Sequence, residues 1–89
     1  MDKKNHVIIG VHVTDRVQQA GEVQRIFSEF GGCIKTRLGL HQVSDDKCSP
    51  AAGVILLEMF GEESRADQLA ARLNGLAGVE AKKMVFEHR

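Results

Sequence analysis

The sequence predicts an α+β sandwich: four strands and two helices in the order β-α-β-β-α-β, with both helices on one face of a four-stranded antiparallel sheet. Three observations carry this. The run Gly53 to Gly61, GVILLEMFG, is apolar at every position between its glycines except Glu58. It is too short to span a membrane, and β-branched residues between glycines favour a strand over a helix. A strand apolar on both sides belongs mid-sheet, covered by helices on one side and by something else on the other. Secondly, apolar residues recur at helical spacing in two stretches, each set between strand-like stretches. Thirdly, no repeat, linker or low-complexity segment interrupts the 89 residues, which make one domain, residues 1–89.

The first strand is His6 to Val13, HVIIGVHV. Val7, Ile9, Val11 and Val13 take one face, and His6, Ile8, Gly10 and His12 the other. Thr14-Asp15-Arg16 closes it and opens a helix, with Asp15 and Gln18 spaced as a capping box and Thr14 as the alternative cap. Val17, Ala20, Val23, Ile26, Phe27 and Phe30 form the buried stripe of that helix. Gly21, inside it, weakens the helix by about 1 kcal/mol relative to alanine, which points to close packing on the sheet. Gly31-Gly32 ends it as a left-handed cap.

Cys33 to Val43 is the second strand. Ile34, Thr36, Leu38 and Leu40 alternate with Lys35, Arg37, Gly39 and His41, giving one half-buried face and one polar face. Ser44 to Ala52 contains the only proline and reads as a loop, and the apolar third strand follows. Glu62 to Asn74 is the second helix, with Ala66, Leu69, Ala70, Leu73 and Leu76 as its stripe and Asn74-Gly75 as its stop. Val79 to His88 is the last strand. Its phase breaks, because Val79 and Ala81 share a face while Met84 and Phe86 fall on the other; a bulge near Lys82-Lys83 would reconcile them. Right-handed crossovers place the first and third strands centrally, in the order 4-1-3-2. This is the ferredoxin-like sandwich.

Twelve basic residues balance twelve acidic ones, so there is no electrostatic footprint for nucleic acid or an anionic membrane. RNA recognition on this topology needs stacking aromatics on the central strands; HVIIGVHV has none and GVILLEMF only Phe60. Without a signal-peptide core the chain reads as cytoplasmic. Cys33 and Cys48 stand at opposite ends of the second strand, roughly 30 Å apart, beyond the reach of a disulfide and consistent with reduced thiols.

If the helices cover Ile55, Leu57 and Met59, the open face shows Val54, Leu56, Glu58 and Phe60, joined by Ile8, His6 and His12. Ile8, Val54, Leu56 and Phe60 make a patch too apolar for water, so this face is an expected oligomer interface, and a small-molecule pocket could form there. His12, His41 and Cys48 are candidate metal ligands near one end of the sheet. His12 and His41 lie about 10 Å apart at two strand spacings, too far for one ion without a second chain. No nucleophile–base pair or phosphate cradle suggests catalysis, so the chain is expected not to be an enzyme and to carry no cofactor. Arg16, at a helix start, and Arg37, pointing to the open face, are the charged residues best placed for an anion.

Thr14-Asp15-Arg16 after the first strand, Arg37-Leu38-Gly39-Leu40 in the second, GVILLEMF, and LAARLNGLAGVEAKK from Leu69 resemble the regulator family of the iron-only hydrogenase system. The resemblance runs from about Val7 to Phe86 and rests on Asp15-Arg16, Arg37-x-Gly39 and Gly78-Val79. It implies an ACT-like domain, a non-enzymatic module that binds a small effector where a strand-to-helix turn meets a partner subunit. Carried over, the ligand-binding residues are Thr14, Asp15, Arg16, Arg37 and Gly39. The usual glycine beside the acidic residue of that turn is absent; Gly21 comes later. Nickel-responsive repressors are similar in architecture, but their His-x-His and cysteine cluster has no counterpart here. Only five residues precede the first strand, so no DNA-binding segment is expected. The expectation is therefore a homodimeric or homotetrameric regulatory module acting through an effector or a protein partner. The alternatives are a metal- or redox-responsive sensor using His12, His41 and Cys48, and a structural subunit of a maturation complex.

Overall fold

The computed structural model describes residues 5–14, 20–43 and 48–87. The elements are β1 (His6–Val13), α1 (Ala20–Glu29), a 3-10 turn (Gly31–Cys33), β2 (Ile34–Val43), β3 (Cys48–Met59), α2 (Glu63–Asn74) and β4 (Val79–Phe86). All pairings are antiparallel in the order β2-β3-β1-β4, the expected ferredoxin-like α+β arrangement. The alternation in β1 holds: Val7, Ile9, Val11 and Val13 are buried, while His6 and His12 are exposed. Leu57 and Met59 of β3 bury beside them, with Val23, Ile26, Phe27 and Phe30 of α1 and Ala66, Leu69 and Leu73 of α2 closing the layer. Ile9, Leu57 and Leu69 are wholly buried, each stabilising by about 1.5–3 kcal/mol relative to exposure.

The structure departs from the sequence reading in five places. β3 begins at Cys48, inside the expected loop. Its first five residues lie beyond the Val13–Gly53 pair that ends the β1 ladder, so Pro50 stands where β1 requires no N–H from it. The irregularity is in the β2–β3 ladder, not in β4: β1 and β4 pair without interruption from His6–Phe86 to Val13–Val79, whereas β2 slips by one residue between Ile34 and Thr36, and the ladder shifts again between His41 and Gln42. Ile34 thus faces the helices beside Met59, and Thr36, Leu38 and Leu40 go to the open face opposite Glu58, Leu56 and Val54. β2 is also not half-buried; every residue from Lys35 to Leu40 is exposed.

Gly21 is exposed, and among the described residues no atom outside its own helix backbone lies within 4 Å of where its Cβ would stand, so close packing on the sheet does not explain it. Finally, Gly31 and Gly32 enter the 3-10 turn without positive φ; among the described residues Gly53, Gly61 and Gly78 adopt it. A 3-10 turn tightens the chain without a left-handed residue, and Cys33 N–H donates to the Phe30 carbonyl at 2.8 Å.

At the far side of α2 the Asn74 amide is bonded reciprocally to β4. Its Nδ2 donates to the Ala81 carbonyl at 3.1 Å, and Ala81 N–H donates to Oδ1 at 2.8 Å. Lys83, on the helix side of β4, is reached by Glu63 at 2.7 Å and Asp67 at 2.6 Å. Those ion pairs explain the broken phase of β4, since a lysine stem can occupy an inward position while its head reaches carboxylates at the rim.

Candidate functional site

The strand phases put β1 residues His6, Ile8, Gly10 and His12 on the side of the sheet away from the helices. Val54, Leu56 and Glu58 of β3 stand beside them through the pairs Ile8–Glu58, Gly10–Leu56 and His12–Val54. Of the four residues read as an interface, Ile8, Val54 and Leu56 lie on this face and are partly exposed, and Phe60 is exposed just beyond β3. The outer strands enlarge the patch. Leu38, Leu40, Phe60, Met84 and Phe86 each leave between 49 and 56 % of their surface in water. Sequence reasoning missed Leu38 and Leu40 because it took them for the inward face of β2, and Met84 and Phe86 because it sought a bulge to turn them inward.

Glu58 stands within this face, while Glu80 and Lys82, opposite His12 and Gly10, put charge on its β4 side. Glu58 Oε1 accepts from Thr36 Oγ1 at 2.9 Å, and Oε2 lies 2.8 Å from His6 Nε2. The Thr36 hydroxyl, then the His6 contact and the charge of Lys35, hold its carboxyl below the usual range against the opposing effect of burial. The His6 ring tilts against Phe86, centroids 6.3 Å apart, so the polar cluster is walled by the patch. A carboxylate fixed in this way is a hydrogen-bond acceptor with both oxygens already engaged.

Of the residues carried over from the resemblance, Thr14 is part-buried. Its N–H and its Oγ1 donate to the Gly78 carbonyl at 2.9 and 3.1 Å, tying the end of β1 to the turn before β4. Asp15 and Arg16 lie outside the described residues. Arg37 does not point to the open face. Its pairing with Leu57 puts it on the helix side, where the guanidinium lies 4.8 Å from the Phe27 ring centroid and donates to Gln24 Oε1 at 3.0 Å. The shift of one residue at Lys35 inverts every later position of β2, and a cation over an aromatic face is a favourable resting place. Gly39 pairs with Ile55, with open space where a Cβ would stand. Thr14 and Arg37 thus belong to different elements, and no described contact joins them.

The backbone register sets His12 opposite Val54, and His41 opposite Gly53, the preceding residue of β3, so both positions stand near one end of the sheet as expected, but the slip in β2 places them on opposite faces. The side chains of His41 and Cys48 are outside the described residues. Among the described residues no three His, Cys, Asp or Glu side chains form a group that could hold a metal, and Cys33 is a partly buried free thiol. On the helix layer a shallow cleft of about 460 Å³ is lined by Glu29, Phe30, Arg65, Gln68, Ala71 and Arg72. Arg72 is paired there with both oxygens of Glu29 at 2.8 and 3.1 Å, and Arg65 covers the Phe30 ring at 4.5 Å. Arg72 and Glu29 neutralise each other, while Arg65, which also donates to Gln68 Oε1 at 2.7 Å, caps the core at Phe30. Among the described residues no helix is long and apolar enough to cross a membrane.

No protein-family model and no curated protein matches the chain. Among solved structures, the uncharacterized protein TM1266 from Thermotoga maritima is similar, with a TM-score of 0.73 and 22% identity over 94% of this chain and 98% of that one. At that identity the likeness carries the fold: two chains of closely matched length share the small α+β sandwich.

Proposed function

We propose that the chain is a non-enzymatic, ACT-like regulatory module of an iron-only hydrogenase system, working as a homo-oligomer assembled through the open face of its sheet. The observation that carries the assembly is the apolar surface of Ile8, Leu38, Leu40, Val54, Leu56, Phe60, Met84 and Phe86. Covering the exposed halves of five such side chains recovers on the order of 1 kcal/mol each. Two copies together therefore gain on the order of 10 kcal/mol, comparable to an association cost of about 4–15 kcal/mol. An interface so balanced is sensitive to one buried charge. The regulatory role draws on the resemblance in Thr14-Asp15-Arg16, Arg37-x-Gly39 and Gly78-Val79, and the effector is expected at the β1–α1 turn.

Sedimentation of wild type and Leu56→Glu tests the assembly. Leu56 lies outside the helix-side core, so the variant should stay folded while losing the face-to-face contact. A wild-type protein that sediments as a monomer at micromolar concentration refutes it. A thermal-shift screen against amino acids and nucleotides tests the effector, since a ligand of the folded state raises the melting temperature by mass action; no shift at millimolar concentration counts against that half.

A further inference from the structure

Among the described residues, the open face carries a hydrogen-bonded imidazole–carboxylate pair. Glu58 stands between Leu56 and Phe60 along β3, with Ile8 opposite it on β1 and Thr36 opposite it on β2. Its Oε2 lies 2.8 Å from His6 Nε2, and its Oε1 accepts from the Thr36 hydroxyl at 2.9 Å. Phe86 pairs with His6 across β1 and β4 and tilts against its ring. In a single copy both members meet water, with 44% of the His6 side chain and 26% of the Glu58 side chain exposed. A second copy covering this face removes that water. An ionised carboxylate is costly to cover unless it is both bonded and balanced in charge. Thr36 supplies a neutral bond; His6 supplies charge only when protonated, and a histidine ordinarily titrates near pH ~6.5. Glu58, held below the usual carboxylate range first by the Thr36 hydroxyl, stays ionised through that region.

We infer that the open face is a proton-linked contact: His6 takes up a proton to balance Glu58 when a second copy covers the face, so the assembly tightens as pH falls. The inference rests on the proposed face-to-face assembly and supplies its regulation. With a neutral imidazole, each copy brings an unbalanced carboxylate into the contact. With an imidazolium the pair carries no net charge, and its attraction grows as water leaves. The covered state therefore holds the His6 proton more firmly than the open one, and by linkage lower pH favours the state that binds more protons. The other charged groups around this face keep their charge over the same range. Lys35 lies near Glu58, and Glu87 follows Phe86 beyond the end of β4. Farther along, Glu80 stands opposite His12 and Lys82 opposite Gly10. Lys82 already lies 4.0 Å from Glu80, so that carboxylate has a cation whatever the state of His12. The linkage falls to His6.

Sedimentation over a concentration series, at about pH 8, 7 and 6 and constant ionic strength, tests it on wild type, His6→Gln and His12→Gln. All three residue changes are at exposed positions and should fold, as circular dichroism verifies at each pH. A two-fold contact contains two such pairs, and one pKa unit at each is worth up to about tenfold in affinity. The wild-type Kd should therefore fall by roughly tenfold to a hundredfold from pH 8 to pH 6. His6→Gln keeps an N–H donor for Glu58 but takes up no proton, so its Kd should stay within about twofold over the same range. His12→Gln should retain the wild-type dependence. A wild-type oligomer of equal affinity at pH 8 and pH 6 overturns the proton linkage and leaves the face reading standing, as does a dependence that survives in His6→Gln or disappears in His12→Gln. Wild type that is monomeric at every pH overturns both, and so does an oligomer whose mass Leu56→Glu does not change.

Discussion

Replacing Asn74 by alanine removes the link between the end of α2 and the outer strand. Asn74 makes two hydrogen bonds, 3.1 Å from Nδ2 to the Ala81 carbonyl and 2.8 Å from Ala81 N–H to Oδ1. A typical intramolecular hydrogen bond is worth about 0.5–1.5 kcal/mol net. The Ala81 groups are part-buried at the sheet edge, so water can rejoin them, and the larger penalty for a fully stranded buried group does not apply. The expected loss is therefore about 1–3 kcal/mol, or a fall in melting temperature of roughly 4–24 °C for a domain of this size. Urea titration measures it, and hydrogen exchange localises it, since the Ala81 amide should lose protection ahead of the β1–β3 ladder. Asn74→Asp keeps the acceptor for Ala81 N–H and loses the donor, so it should fall between wild type and alanine. An alanine variant within about 0.3 kcal/mol of wild type, inside the scatter of an ordinary surface substitution, would refute the reasoning.

Two further outcomes are expected. Gly21→Ala should stabilise the protein by up to about 1 kcal/mol, because among the described residues the added methyl meets no atom within 4 Å outside its own helix backbone and alanine loses less entropy in a helix; denaturant unfolding reads it, and a destabilised variant would show that α1 packs differently at this point. Lys83 holds the Glu63 carboxyl below its ordinary 4.5, with Asn5 assisting. A depressed carboxylate stabilises above its unfolded value and loses that contribution as pH falls through the folded one. Asp67, then Glu63, raises Lys83 above its ordinary 10.5, so its own contribution is full below that value and is lost as pH rises through the raised one. Lys83→Met should flatten the decline in stability below about pH 5, measured by urea unfolding across pH, and an unchanged acid limb would remove the ion pair from the account.

Much of the fold was legible because it rests on period. β1 alternates strictly, α1 and α2 repeat their apolar residues at helical spacing, and the run between Gly53 and Gly61 is apolar on both faces. These patterns are local and need no knowledge of neighbours. The misread features depend on a partner elsewhere in the chain. Lys83 reads as an outward residue until Glu63 and Asp67 of α2 are seen around it. Pro50 reads as a loop residue until β1 is seen to end short of it. The Asn74 clasp on Ala81 has no periodic signal, although an asparagine before a helix-ending glycine could have prompted a search for backbone partners. The candidate site divides in the same way. Ile8, Val54, Leu56 and Phe60 follow from strand phase, whereas the larger half of the patch lies on the edge strands, whose phase is set by pairing.

The bulge at Lys35 connects these threads. A regular β2 would keep Ile34 in phase with Thr36, Leu38 and Leu40, so Ile34 packed on the core would send both leucines under the helix layer. That layer does not extend far enough to bury β2, as the exposed run from Lys35 to Leu40 shows. Leucines there would gain little, and Arg37 would stand in the open apolar face without the Phe27 ring beneath it. One extra residue resolves both conflicts. Ile34 keeps its place beside Met59 and Arg37 reaches α1, while Leu38 and Leu40 join Leu56 and Val54 on the opposite side. A bulge therefore does more here than relieve a strand: it transfers apolar area from an uncovered flank of the helix layer to the sheet face where a second copy can cover it. The breadth of the proposed interface follows from that single insertion.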